Sequence, residues 1–470
     1  MTIAILVATL AFLALVADLV PGGGSARGVG ALAAAGLAGI LAATWFLPGT
    51  GESFGGAYVD DAFTCYVQRV LLAAGIIASL GSIEHADRVF PRRQGEYYVL
   101  LLASLCGMTL LAGARDLVLL VVSFELMGIP LYVLAAMHKT AREGIEGATK
   151  LYLTGAVSAA VTMYGLSFLI GATNSTRFDA LHGASTPMLA LGALLVLAGM
   201  AYKVGAIPFH MWVPDTYQAA PTPFVAFLSV APKVAGFAAL SRLFVQAMAP
   251  ERTAPVLLLV GVITMIGGNL LALPQSNVRR LLGYSGVAHV GLLLVALSLG
   301  TVDALGGMLF YLATYVASNM GAFLVVEVVG ESDIPAWNGL ARRSPALSLS
   351  MLLFLLSLGG IPFVAGFWAK LIVFNAAWRA GMGGIVLLGA LLAVLGLFYY
   401  LKVARAIYME PTPRPDGPVV ARATAFAIAL AVAGVVGMGL YPGPVLDSAL
   451  AAARVIAPAG TDLPAAPTAP

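Results

Sequence analysis

Charge is what this sequence has least of. Of its 470 residues 10% are charged, against about 25% in a soluble domain. The shortage excludes an ordinary water-soluble fold, because 60% of the residues are hydrophobic and the mean hydropathy is +0.95. Cysteine is scarce too. Cys65 and Cys106 stand isolated inside apolar runs and cannot supply the set of cysteines that an iron–sulfur cluster usually takes, so both are expected to be packing residues. A nucleotide-binding glycine fingerprint is also lacking, since "PGGGSARG" is a polar link with neither a strand nor an ordered helix start beside it. Electron transfer, if this chain serves it, has to happen in partner polypeptides. No nucleic acid is expected as a partner, and the net charge of +3 says little.

What the sequence has in quantity is hydrocarbon. Apolar runs recur from end to end, each long enough to cross roughly 30 Å of bilayer as a helix, the form in which every backbone group is bonded within its own segment. The expected class is all-α integral membrane, with about fourteen spans near residues 2–20, 28–47, 62–83, 97–113, 117–137, 147–171, 188–214, 223–248, 254–274, 280–300, 304–329, 346–378, 383–409 and 419–441. The seventh and twelfth are too long for one straight crossing and carry internal proline. The first has no basic leader and no clear cleavage site, so it reads as a helix and not a signal peptide. Gly, at 53 residues, permits close helix contact in a membrane. Residues 458–470 read as a disordered tail.

Charge between the spans orients them. With the N-terminus outside, the inward loops hold Arg27, Arg88, Arg92, Arg93, Lys139, Arg142, Arg279, Arg280, Arg342, Arg343, Lys402, Arg405, Arg414 and Arg422. The outward loops hold Arg115, Arg177, Arg252, Arg379 and Arg454. That bias follows the positive-inside rule and places both termini outside.

Six basic residues remain inside or at the edge of spans. A charge at the bilayer centre costs about 2.5–3.5 kcal/mol even on the lenient insertion scale, so a buried Lys needs a partner, a water-filled cavity or a reason to be neutral. Arg69 and Arg242 are within reach of a helix end and read as snorkelling side chains; Lys150, near the start of the sixth span, is undecided. Lys203, Lys233 and Lys370 lie well inside apolar runs. Among carboxylates Glu125 is the most deeply placed, whereas Asp18 and Glu327 lie close to span ends and read as interfacial. A lone carboxylate in mid-membrane is either protonated or paired with a cation, and the buried lysines are the expected partners of Glu125.

Proline marks where helices open. In "AYKVGAIPFHMWVPD" Pro208 follows Lys203, and in "SLGGIPFVAGFWAK" Pro362 precedes Lys370. Proline lacks an N–H and frees a carbonyl in the preceding turn, so both helices are expected to break there. Two broken segments in corresponding halves point to an internal repeat with a transport site in each.

"KVGAIPFHMWVPDTYQAAPTPFVAFLSVAPKVAGFAAL", with "SFELMGIPLYVLA", "NVRRLLGYSGVAHVGLLLVAL" and "LSLGGIPFVAGFWAKLIVF", resembles the antiporter-like membrane subunits of respiratory complex I, a bacterial NADH:quinone oxidoreductase. The likeness covers roughly residues 60–410. It implies fourteen helices and two inverted five-helix bundles. The corresponding division is three N-terminal helices (1–96), a first bundle (97–248), a second (249–409), a C-terminal helix with its following segment (410–457), and the tail. It implies that Glu125 partners Lys203, that Lys233 is the central connecting lysine and that Lys370 carries protons in the second half-channel. Lys150 matches a further basic position; His289 falls in an "AH" motif and His210 in the broken helix, where it either joins the polar axis or bonds freed backbone. One departure is the link Asn277, Val278, Arg279, Arg280, where relatives often have Lys in the second basic position.

The resemblance implies a proton-translocating subunit of the bacterial inner membrane. It has no cofactor of its own, and NADH, FMN, iron–sulfur clusters and quinone belong to partner subunits. Expected partners are neighbouring antiporter-like subunits, lipids, water and protons. A subunit of a multisubunit cation/proton antiporter, the membrane arm of an ion-pumping hydrogenase or related dehydrogenase, and a spacer that no longer pumps are the competing readings. Mass spectrometry of the intact complex discriminates the first two through the subunits that co-purify.

Overall fold

The computed structural model describes residues 1–19, 26–47, 49, 51–91, 93–137, 142–183, 186–248, 250–412 and 416–458. The expected tail beyond 458 lies outside them, as do Arg92, Lys139 and Arg414 of the loop charges and the side chains of Arg27 and Arg142. Among the described residues the fold is all-α apart from a short antiparallel hairpin, Gly51–Ser53 with Tyr58–Asp60. The helices before the first break are α1 (Thr2–Leu19), α2 (Ala26–Ala43), α3 (Ala62–Val89), α4 (Gln94–Ala112), α5 (Leu117–Ala135), α6 (Arg142–Thr173) and α7 (Pro187–Val204). Then come α8 (Trp212–Ala219), α9 (Thr222–Leu228), α10 (Ala231–Leu240), α11 (Pro250–Ala272), α12 (Val278–Leu299) and α13 (Val302–Val329). The last are α14 (Leu340–Arg343), α15 (Pro345–Gly359), α16 (Ala365–Arg379), α17 (Gly383–Tyr408), α18 (Arg422–Leu440) and α19 (Gly443–Ile456).

Among the described residues twelve helices are long and apolar enough to cross a membrane, and two shorter apolar helices accompany them. Polar caps start several of them. The Asp116 carboxylate accepts from the amides of Val118 and Leu119 at the head of α5. Asn277 does the same for Arg279 and Arg280 at the head of α12. Such caps satisfy amides that have no partner inside the helix.

The central post is α13, buried along nearly its whole length and packed by α3, α9, α12, α15, α16, α18 and α19. The periphery is apolar on its outer side: Leu387, Leu391, Val394 and Phe398 of α17 stand exposed at helical spacing, the stripe a lipid-facing helix presents. Close crossings are made by small residues. A Cβ on Gly165 of α6 would lie 2.8 Å from the carbonyl of Gly192 on α7, and one on Gly192 would lie 2.8 Å from that of Gly165. These two backbones can meet because neither position carries a side chain.

Both long spans are interrupted. The seventh is α7 and α8, and the twelfth is α15 and α16. The cause is not the one expected from Pro208, because α7 ends at Val204, four residues earlier. Gly205, at φ +80°, donates to Tyr202 while Ala206 donates to Ala201, the paired bonds of a left-handed glycine cap. Gly360, at φ +83°, ends α15 in the same way, with its amide on Ser357 and that of Ile361 on Leu356.

The eighth span holds a third interruption. It is helical from Thr222 to Leu228 and again from Ala231, with Pro232 in the first turn of α10, where a missing N–H does no harm. It then loosens into π-helix at Ser241–Ala247.

Candidate functional site

Each of the three deeply placed lysines stands at one of these interruptions. Lys203 is in the last turn of α7, Lys233 in the first turn of α10 and Lys370 in the second turn of α16. Carbonyls left over at a helix end receive the ammonium of Lys370, whereas Lys203 and Lys233 are received by tyrosine hydroxyls.

Lys203 is 6% exposed. Its Nζ donates to the Tyr132 hydroxyl at 2.9 Å and lies 5.5 and 5.3 Å from the ring centres of Phe124 and Tyr132. The break beside it is tied down on both sides. Trp212 Nε1 donates to the Tyr202 carbonyl at 3.0 Å, and the Ile207 amide to Thr264 Oγ1 at 3.1 Å. The Ile207–Pro208 peptide is cis. Glu125, half-buried on α5, lines a wide groove of about 690 Å³ between α5 and α6. The structure places it within electrostatic range of Lys203, but the two form no ion pair.

Lys233 is 1% exposed. It donates to the Tyr315 hydroxyl at 3.3 Å and faces the rings of Tyr217 and Tyr315 at 5.9 and 5.3 Å. Lys370 takes another kind of partner. Its Nζ donates to the carbonyls of Leu358 and Gly359, at 2.8 and 2.9 Å, and so reaches back across the break to the negative end of α15.

His289 of α12 lies within electrostatic range of both Lys233 and Lys370. Its Nδ1 shares a hydrogen bond of 2.6 Å with the Tyr311 hydroxyl, and its Nε2 one of 3.1 Å with that of Tyr400. A cavity of about 30 Å³ is lined by His289, Tyr311, Tyr399, Asn269 and Lys370, room enough for a water molecule among polar partners. The tyrosines were not singled out by sequence. Their signal is weak, because a Tyr in an apolar helix ordinarily reads as packing, although a buried hydroxyl needs a partner.

The remaining candidates fall elsewhere. Lys150 is 45% exposed and pairs with Glu146 and Asp215, each at 2.8 Å. Arg280 joins the same Asp215 at 2.8 Å, which gives the departing Asn277–Arg280 link its local role. Lys150 is therefore not brought to the buried lysines. His210 stands in the break, its ring 6.3 Å from that of Tyr284. Pro208 and Pro362 lie in the two interruptions, past the glycine caps.

Two expectations are corrected. Arg242 does not snorkel: it is 1% exposed, with Nη2 2.7 Å from Asp61 and 2.9 Å from Thr64 Oγ1. Glu327 is not simply interfacial, because its carboxylate is largely enclosed and bonded to His85 at 2.8 Å and Arg88 at 3.2 Å.

A bundle of membrane-crossing helices that opens at lysine-bearing breaks is of the antiporter-like class of ion-translocating membrane proteins. The family described as NADH:quinone oxidoreductase/Mrp antiporter, TM, matches residues 114–396. NADH-quinone oxidoreductase subunit N of Moorella thermoacetica is 38% identical over 463 residues, covering 96% of this chain and 97% of its own length. Among solved structures, a chain of respiratory complex I from Thermus thermophilus with bound aureothin matches with a TM-score of 0.83 at 33% identity, over 96% of this chain and 99% of that one. A chain of the Mrp complex from Dietzia shares the fold, with a TM-score of 0.87 at 21% identity over 98% and 99% of the two chains. The chain belongs to the subunit N family of NADH-quinone oxidoreductases.

Proposed function

We propose that this chain is a proton-translocating membrane-arm subunit of an NADH:quinone oxidoreductase, driven by redox chemistry in other subunits. The observation that carries the reading is the placing of Lys203, Lys233 and Lys370 at three helix interruptions in a bundle of this family. Lys203 exchanges between Glu125 and other partners and passes its proton toward Lys233. From there Tyr315, His289 and its two tyrosines, completed by water, lead to Lys370, which delivers the proton outward. NADH, FMN, iron–sulfur clusters and quinone are held by partner subunits.

The two glycine-capped breaks, one in the seventh span and one in the twelfth, support two inverted bundles, residues 97–248 and 249–409, within a fourteen-helix subunit. The basic residues of the loops support termini on the outer side of the bacterial inner membrane. Lys233→Met tests the whole path, since it removes the buried ammonium of the eighth span and keeps its bulk. The assembled complex, reconstituted in vesicles, is expected to reduce quinone while losing proton uptake. Full pumping at normal assembly rejects the reading. The Dietzia likeness supports a second reading, an antiporter subunit. Co-purification with NADH- and flavin-binding subunits decides for the first.

A further inference from the structure

Glu125, Gly128 and Tyr132 occupy positions i, i+3 and i+7 of α5 and so line one face of it over two turns. Lys203 lies against the middle of this row. A Cβ built on Gly128 would stand 2.7 Å from Lys203 Nζ, so the ammonium fills the space a side chain there would need. One turn ahead of Gly128, on the same face, is the Glu125 carboxylate, which makes no ion pair with the ammonium. One turn behind is the hydroxyl that does accept from it, at 2.9 Å. Tyr132 is fixed from α6: Tyr152 meets its ring edge-on with centroids 5.9 Å apart, and Gly155 leaves the room its hydroxyl takes.

We infer that Tyr132 is a second seat for the Lys203 ammonium and that Gly128 is the saddle over which it crosses between that seat and Glu125. The inference rests on the reading of Lys203 as a proton carrier and deepens it. On Glu125 the ammonium meets a counter-charge. On Tyr132 it meets a neutral oxygen and the faces of two rings, which hold a cation without neutralising it. A lysine that leaves the carboxylate is thus not released into hydrocarbon, where an unpaired charge is strongly disfavoured. Gly128, between the two seats, has no side chain to stand in the way of the crossing.

Tyr132→Phe keeps the ring and its packing and removes only the oxygen. In the intact complex, cryo-electron microscopy is expected to show the Lys203 ammonium moved into hydrogen-bonding contact with Glu125. The rate of proton uptake is expected to fall about tenfold, the scale of one lost hydrogen bond to a charged group. Gly128→Ala, by filling the saddle, is expected to confine the ammonium to one seat with a similar loss. Because the Tyr132→Phe defect is trapping on Glu125, it adds little once Glu125→Gln is present, a coupling that a merely structural tyrosine does not show. An unmoved Lys203 with full pumping in Tyr132→Phe overturns the second seat, and so do additive losses in the double variant. Lys203→Met separates this from the underlying reading. Full pumping in that variant removes Lys203 from the path altogether, whereas lost pumping there with full pumping in Tyr132→Phe overturns the second seat alone.

Discussion

The Nζ of Lys370 lies 2.8 Å from the carbonyl oxygen of Leu358, on the other side of the break that separates α15 from α16. The lysine thereby bridges the interruption it follows, and the glycine that makes the break also makes room for it. Gly360 is at φ +83°, and a Cβ there would stand 2.7 Å from Lys370 Cδ. Gly360→Ala is expected to strain the backbone by about 1–2 kcal/mol, to push the lysine off its carbonyls and to lower pumping. Gly359→Ala is the control: its added methyl meets nothing nearer than Leu397 Cδ1 at 3.3 Å and is expected to leave both stability and pumping nearly intact. Equal losses in the two variants would separate Lys370 from the shape of the break.

His289 has a hydroxyl on each ring nitrogen. Removing one, by Tyr311→Phe or Tyr400→Phe, leaves the imidazole with the other. Removing both orphans it inside the bundle, where an unsatisfied polar group costs about 1–3 kcal/mol. The double variant is therefore expected to lose far more proton uptake than the two single variants together. Strictly additive losses, measured as protons per electron pair, would show that the two hydroxyls do not act through His289.

The pair of Asp61 and Arg242 gives an acid limb to stability. Burial pushes the Asp61 carboxyl up, but the Arg242 guanidinium and the Thr64 amide outweigh it and hold the carboxyl below its usual range. A group so depressed contributes stability that is fully present above its unfolded pKa, about 3.9, and is lost as pH falls through the lower folded value. Thermal unfolding of the purified complex is expected to weaken in acid with a component that Asp61→Asn abolishes. At neutral pH that variant is expected to cost about 3–5 kcal/mol, the range for stripping one partner from a buried ion pair. An unchanged acid limb in Asp61→Asn would assign it to other carboxylates.

How far the sequence reached depended on how expensive each feature is in hydrocarbon. The spans were legible because long apolar runs have no alternative use, and Lys203, Lys233 and Lys370 because a charge deep in such a run needs a reason. The interruptions were half legible. Proline flagged two of them, but the stops are made by Gly205 and Gly360, whose left-handed backbone has no sequence mark among 53 glycines. The third was missed although Pro232 precedes Lys233, because proline in the first turn of α10 can also be read inside a continuous helix with a kink. Partners across the chain were not legible at all. Arg242 meets Asp61 from 181 residues away and Lys150 meets Asp215 from 65 away, and distance to a helix end says nothing of what waits there. The tyrosine hydroxyls that receive Lys203 and Lys233 were hidden by the ordinary packing role of aromatic rings.

Orientation has a direct test in the loop between Val89 and Gln94. If the termini are outside, a protease site inserted there is cut only from the cytoplasmic face of sealed vesicles. Cutting from the other face would reverse the assignment of every loop, since the spans alternate.

Lys203 and its break make the last prediction. If the lysine works by giving up its proton, Arg fails in its place although it keeps the charge, because guanidinium does not deprotonate in proteins. Lys203→Arg is expected to assemble and to pump poorly. Arg is also longer and planar, so the comparison needs a variant that disturbs the break without touching the charge. Pro208 is the weaker choice, because α7 has already ended at Val204 and the freed carbonyls of Ala201 and Tyr202 are bonded by Ala206, Gly205 and Trp212. Gly205→Ala is the stronger one: at φ +80° an added Cβ strains the cap and meets Val213 Cγ2 at 2.9 Å. Pumping is thus expected to fall more in Gly205→Ala than in Pro208→Ala, with quinone reduction and subunit content followed beside it. The reverse order would return control of the break to the proline, and full pumping by Lys203→Arg would leave Lys203 a fixed charge lining it.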